Sequence, residues 1–268
     1  MSEYDKKFFD EQQERSAKSA QEIVPTVLRL VRPASVVDVG CGVGAWLSVF
    51  KDLGVTDVVG LDGGWARERW LLSPEQFIEH DVTAPISLQR RFDLVVCLEV
   101  GEHVPAESAS VLVESLCKLG PIVMFSAAVP LQGGVHHVNE QWPDYWAALF
   151  AKFGYSMVDA LRATFWNNRE IDWWYVQNAF LFVQSSSLAN YPALTSQPSM
   201  AELRVVHPRH YLEKARRANI GLAEVLKMFA PLARDAFARR ARALGATIGN
   251  AFAKRTPETT TASSVKHD

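Results

Sequence analysis

Cysteine is scarce in this chain: Cys41, Cys97 and Cys117 are the only three among 268 residues, an odd number without the paired spacing of a zinc site. That excludes a disulfide framework, and because all three fall in or beside apolar segments they are expected in the core. Long apolar runs are missing as well. No stretch reaches the roughly 18 uninterrupted apolar residues of a membrane-spanning helix. The first 21 residues are polar and charged, without the apolar centre of a signal peptide. A cytoplasmic protein is the expectation. No internal repeat is visible, and 48% hydrophobic residues is ordinary for a globular chain, so one sizeable domain with an appendage is expected.

What is present is alternation. An amphipathic helix is predicted over 6–31, with Ile23, Val27, Leu30 and Val31 on one face and Pro33 ending it. Strands follow at 36–39, 56–61, 76–79, 92–98, 121–128, 155–159 and 178–184, with helices at 44–53, 65–72, 105–118 and 140–153 between them. Such alternation builds an α/β, doubly wound, Rossmann-like sheet of about seven strands with helices on both faces. The domain is expected over 1–185, with the first helix as a cover. A Ser-, Pro- and Asn-rich linker over 186–207 comes next, then a helical extension at 208–255 and a disordered polar tail at 256–268.

The first strand breaks into Gly40-Cys41-Gly42-Val43-Gly44 and opens a helix. Three alternate glycines let the backbone turn sharply and let a ligand approach without a Cβ in the way. The spacing differs from G-x-G-x-x-G, where a pyrophosphate rests on the helix N-terminus. Here Asp38 stands two residues before the first glycine, a carboxylate that suits the ammonium of an amino acid and repels a pyrophosphate. The second strand ends in Asp62, placed to accept both hydroxyls of a ribose. Asp81 and Val82, after the third strand, offer a carboxylate and an apolar wall to an adenine. On this motif set, over about residues 20 to 185, the chain resembles the class I S-adenosylmethionine-dependent methyltransferases. The resemblance implies S-adenosylmethionine bound by Asp38, Gly40, Gly42, Gly44, Asp62, Asp81 and Val82. It also implies a last strand that runs antiparallel beside the fifth, for which 178–183 is the candidate.

Methyl transfer requires an aligned acceptor and, for a hydroxyl, help in removing its proton. Glu99-Val100-Gly101-Glu102-His103 follows the fourth strand and Gly133 to Glu140, with His136 and His137, follows the fifth. Both loops leave the edge of the sheet where ligands bind. Two carboxylates and one or two imidazoles there form a mixed O/N donor set for a divalent ion such as Mg²⁺, Mn²⁺ or Zn²⁺. This E-x-x-E-H run with a later histidine resembles the small-RNA 2′-O-methyltransferases and is similar to the ubiquinone-pathway O-methyltransferases. That resemblance implies Glu99, Glu102, His103 and His137 as metal ligands. The residues themselves leave two alternatives: a metal-free site with His136 or His137 as general base and Glu99 orienting the acceptor, or a structural role in which Glu caps a helix and His packs.

No RNA-binding module of that family is present, so nucleic acid is not the expected acceptor. The Val-Pro-Leu-Gln-Gly-Gly loop and the Trp-Trp-Tyr-x-Gln-Asn segment look like those of bacterial methyltransferases of surface-glycan and natural-product assembly, which implies a small-molecule or sugar acceptor. Hydroxyl methylation is the leading expectation; N- or C-methylation and a non-catalytic binding module are the alternatives. The aromatic stretch 165–175 is read either as a pocket wall or as packing. His207 and His210 are expected at the surface. Residues 201–255 carry twelve Lys or Arg against four Asp or Glu, a basic segment that either docks on the domain's own acidic surface or meets an acidic partner, an anionic membrane surface or RNA.

Overall fold

The computed structural model describes residues 3–218. A helix, α1 (Glu3–Val31), leads in and buries Ile23, Val24, Val27, Leu30 and Val31. It closes at Arg32, whose φ of 51° turns the chain out of the helix just before Pro33. Then come β1 (Ser35–Val39), α2 (Ala45–Asp52), β2 (Asp57–Asp62), β3 (Phe77–Glu79) and β4 (Leu94–Leu98). They are followed by α3 (Ala109–Leu119), β5 (Ile122–Ser126), α4 (Pro143–Lys152) and β6 (Tyr155–Val158). The rest is α5 (Arg162–Phe165), α6 (Trp173–Asn178), β7 (Phe180–Gln184), α7 (Pro192–Thr195) and α8 (Pro208–Ala218).

The seven strands form one sheet in the order β3-β2-β1-β4-β5-β7-β6. Every pairing is parallel except those of β7, which runs antiparallel to both β5 and β6. Every residue of β4 and β5 is buried, as expected of parallel strands covered on both faces. One face packs on α1, α2 and α6 through Trp46, Phe50 and Tyr175; the other packs on α3 and α4 through Leu112, Trp146 and Phe150. Strand order reverses between β1 and β4, and ligands bind outside the carboxyl ends of strands at such a switch point. The turn after β1 and the loop after β4 therefore share one rim.

Three expectations change. The segment 65–72 forms a short 3₁₀ turn, Gly64–Arg69, rather than an α-helix. The stretch 186–207 is not a loose linker: it holds a 3₁₀ turn (Ser185–Asn190) and α7, and the compact unit continues to Leu212. Its anchor is Arg162, fully buried, which pairs with Asp159 at 2.7 Å and donates to the carbonyls of Leu203 and Glu202, each at 3.0 Å. His207 and His210 are not surface residues but 5% and 3% exposed. His207 Nε2 bonds the Trp166 carbonyl at 2.9 Å and the His210 ring stacks on Trp173 at 4.3 Å. The tryptophans thus pack the strap, residues 199–210, onto the domain, while Arg15 of α1 covers Trp174. Residues 219–255 of the basic extension and the tail 256–268 lie outside the described residues. Among the described residues no helix is long and apolar enough to cross a membrane.

Candidate active site

Gly40, Gly42 and Gly44 all have positive φ, so the turn after β1 is left-handed at each alternate residue. A Cβ on Gly40 would lie 2.3 Å from Val100, and one on Gly44 would lie 2.6 Å from the Trp70 indole. Gly42 instead faces open space. Asp62 stands beside it at the end of β2: Oδ2 accepts the Gly42 amide at 2.7 Å and Oδ1 accepts the Gly63 amide at 2.7 Å. The Trp65 indole donates to the carboxylate as well, so part of its acceptor capacity is already taken. Burial raises the Asp62 pKa against the opposing effect of these amides and of the Trp65 indole. Asp38, 3% exposed, lies on β1; burial and then the facing Asp62 charge push its carboxyl well above the usual range.

An open groove of about 640 Å³ runs from Asp62 past Trp65, Glu79 and His80 to Asp81 and Val82. Asp81 at its rim accepts from the Thr83 amide and hydroxyl, which lowers its pKa. The His80 Nε2 atom is buried without a hydrogen-bond partner. Of the seven residues expected to hold the cofactor, Gly40, Gly42 and Gly44 lie in the β1 turn, Asp62, Asp81 and Val82 line the groove, and Asp38 is buried on β1 just before the turn.

The second half of the site is built by the loops after β4 and β5. Glu99 has a φ of 54°, a conformation that costs a non-glycine residue roughly 1–3 kcal/mol. Bonds from its amide to the carbonyl and the hydroxyl oxygen of Ser126, both at 3.0 Å, hold it there. Its carboxylate accepts from Gln132 Nε2 at 3.0 Å and Asn178 Nδ2 at 3.2 Å. Burial raises the Glu99 pKa and these bonds oppose the rise.

Glu102 is 1% exposed and both its carboxylate oxygens are buried without a hydrogen-bond partner. Burial, then Glu99, pushes its pKa well up. Its backbone carbonyl accepts the amides of Val138 at 2.8 Å and Asn139 at 3.0 Å, and so pins the second loop against the first. This brings His137 Nε2 to 4.0 Å from Glu102 Oε1 and its ring to 4.9 Å from that of His103. One donor atom from each of Glu102, His103 and His137 lies within 4.8 Å of the others. Partial desolvation, then His137, lowers the His103 pKa. His103 donates through Nδ1 to the His136 carbonyl at 3.3 Å. Of the four expected metal ligands, three gather and Glu99 turns instead to the amides of Gln132 and Asn178. His136 is exposed, with a φ of 61°, and contributes its carbonyl rather than its ring.

Several participants escaped the sequence reading. Gln132 Oε1 accepts from Asn178 Nδ2 at 2.9 Å, and Gln177 Oε1 accepts the His207 amide at 2.8 Å, so an amide chain runs from Glu99 to the strap. Glutamines and asparagines carry no spacing signal for this. Glu140, 3.0 Å from His137 Nδ1, was readable from its place three residues after that histidine.

A glycine turn with acids at the ends of β1 and β2, on a seven-stranded sheet whose last strand is antiparallel, defines a class I S-adenosylmethionine-dependent methyltransferase. The chain belongs to the methyltransferase domain family, whose profile matches residues 9–180. No curated protein sequence matches it. Among solved structures it is similar to DesVI of Streptomyces venezuelae, at 16% identity over 67% of this chain and 96% of that one, with a TM-score of 0.51. It is also similar to the sugar N-methyltransferase KedS8 of a Streptoalloteichus species, at 15% identity over 68% and 93%, with a TM-score of 0.53. At these identities the likeness establishes the fold.

Proposed function

We propose that this enzyme methylates a hydroxyl group of a small molecule or sugar, with a divalent cation held by Glu102, His103 and His137. The observation that carries the reading is the buried carboxylate of Glu102, both oxygens without a partner, facing the Nε2 atom of His137 across 4.0 Å. Burial favours the protonated, uncharged form of Glu102, and a divalent cation that displaces this proton would join the carboxylate to the imidazole and compensate its burial. Imidazole and carboxylate donors suit Zn²⁺ or Mn²⁺ at bonds of about 2 Å.

The cofactor fits as well. Open space before Gly42, the remaining acceptor capacity of Asp62, and the unpartnered His80 Nε2 at the groove match a molecule with an amino-acid end, a ribose and an adenine. In this reading Asp38 meets the ammonium beside Gly40 and Gly44, Asp62 takes the ribose hydroxyls, and Asp81 and Val82 border the adenine. S-adenosylmethionine supplies an electrophilic methyl group on a sulfonium, and the ion supplies a Lewis acid that lowers the pKa of the acceptor hydroxyl. The chain's own residues orient. Gln132 and Asn178 fix the Glu99 carboxylate between the two halves of the site, where it accepts a hydrogen bond from the acceptor.

The test is turnover of hydroxylated sugars and small molecules with labelled S-adenosylmethionine before and after chelation, with elemental analysis of the protein. Loss of turnover in EDTA with cofactor affinity unchanged, and recovery on adding Mn²⁺, Zn²⁺ or Mg²⁺, is the expected result. Full activity in excess chelator with no bound metal overturns it, and leaves His137 or His136 as the base of a metal-free O-, N- or C-methylation.

A further inference from the structure

Glu140 lies at the centre of the histidine loop. Its Oε2 accepts the amide of Leu131 at 2.8 Å; its Oε1 accepts the amide of Gly133 at 2.5 Å and lies 3.0 Å from His137 Nδ1. Leu131 and Gly133 both have left-handed φ, 67° and 68°. Backbone turned in this way aims its amides inward on a concave anion seat, so the turn is shaped around this carboxylate.

An ionised carboxylate can only accept, so the proton in the contact with His137 sits on Nδ1. The neutral ring then has its lone pair on Nε2, the atom that faces Glu102. A Cβ on Gly134 would stand 2.1 Å from Nε2 and 2.5 Å from the neighbouring ring carbon, so the imidazole rests directly on that glycine.

We propose that Glu140 is a positioning residue of this active site: it fixes His137 in the Nδ1–H tautomer with Nε2 turned to Glu102, and through Leu131 and Gly133 makes ring and turn one unit. What Nε2 then does rests on the metal reading above; the tautomer does not. Carboxylates that orient a ligating imidazole in this way change metal affinity by about 10- to 100-fold when removed. Glu140→Ala is the informative change. Glutamine could keep an accepting oxygen at the Oε1 position for Gly133 and Nδ1, whereas alanine removes the acceptor that holds the proton on Nδ1 and releases the ring to its intrinsically favoured Nε2–H form.

The experiment is long-range ¹H–¹⁵N correlation of histidine-labelled, metal-free, full-length protein at a pH where imidazole is neutral, with His137 assigned from His137→Gln. The expected result is protonated Nδ1 in the parent and protonated Nε2 in Glu140→Ala. Calorimetry with Mn²⁺ or Zn²⁺ should show the variant's affinity about 10- to 100-fold weaker, with S-adenosylmethionine affinity unchanged. A parent His137 with its proton on Nε2 overturns the proposal whether or not the variant folds. So does a folded variant with unchanged tautomer and metal affinity. A parent that binds no metal while the variant still switches tautomer removes the metal reading and supports the positioning role.

Discussion

Asp38 couples binding to stability through its proton. In the folded protein burial, then Asp62, holds its pKa well above the ordinary value of about 3.9. The folded state therefore keeps a proton that the unfolded chain has released. That contribution is complete below the unfolded value and is lost as pH rises toward the raised folded value. Glu102 has the same sign. These two carboxyls therefore contribute a stability difference in favour of pH 5 over pH 7, against an opposite contribution from His103 and His207, whose pKa values burial lowers. Asp38→Asn should flatten that difference and raise stability at pH 7 by about 1 kcal/mol, or about 2–4 °C in Tm for a chain of this size. The same variant should lose more than tenfold in S-adenosylmethionine affinity, since a hydrogen bond to a charged group contributes about 1.5–3 kcal/mol. Calorimetric melting and cofactor titration of both proteins check this; equal affinity refutes the assignment of Asp38. Asp62→Ala should lose affinity on the same scale.

Strands and helices were legible where apolar periodicity is strong: β1, β2, β4, β5 and α3 lie within a few residues of their expected bounds. The glycine turn was legible because left-handed backbone at alternate residues dictates glycine and its spacing, and the E-x-x-E-H run was legible as a place on the sheet edge, though not in the turning of Glu99 toward Gln132 and Asn178. The strap was not, because it is held by main-chain carbonyls and ring stacking rather than by an apolar stripe. Ser, Pro and Asn therefore suggested a linker, and two histidines looked like surface residues. Helix α6 shows the cost of that omission: Trp173 stacks on His210, Tyr175 meets Ser16 of α1, and Gln177 and Asn178 reach toward Glu99 and the strap. Gln177→Ala leaves the buried His207 amide without its acceptor, a loss of about 1–3 kcal/mol. Tm should fall by about 2–4 °C per kcal/mol, with cofactor affinity unchanged; a melting curve identical to the parent's refutes the role given to this residue.

Truncation after Pro198 takes away the carbonyls that Arg162 holds and the histidines that cover Trp166 and Trp173. The shortened chain should melt lower and expose apolar surface to a hydrophobic dye, while its preference for S-adenosylmethionine persists because the β1 turn and Asp62 are untouched. A truncated chain as stable as the parent contradicts the strap's place in the domain. One feature of the sheet sets a schedule for synthesis. The last strand to be made, β7, takes an interior position between β5 and β6, and the residues immediately before it supply Asn178 to Glu99. Until that strand leaves the ribosome, β5 and β6 are two unpaired edges, each able to capture a foreign strand. Glu99 meanwhile lacks one of its amide donors. A nascent chain that already carries the whole glycine turn and both loops of the site therefore still lacks a complete sheet, and the site is finished only once β7 has paired.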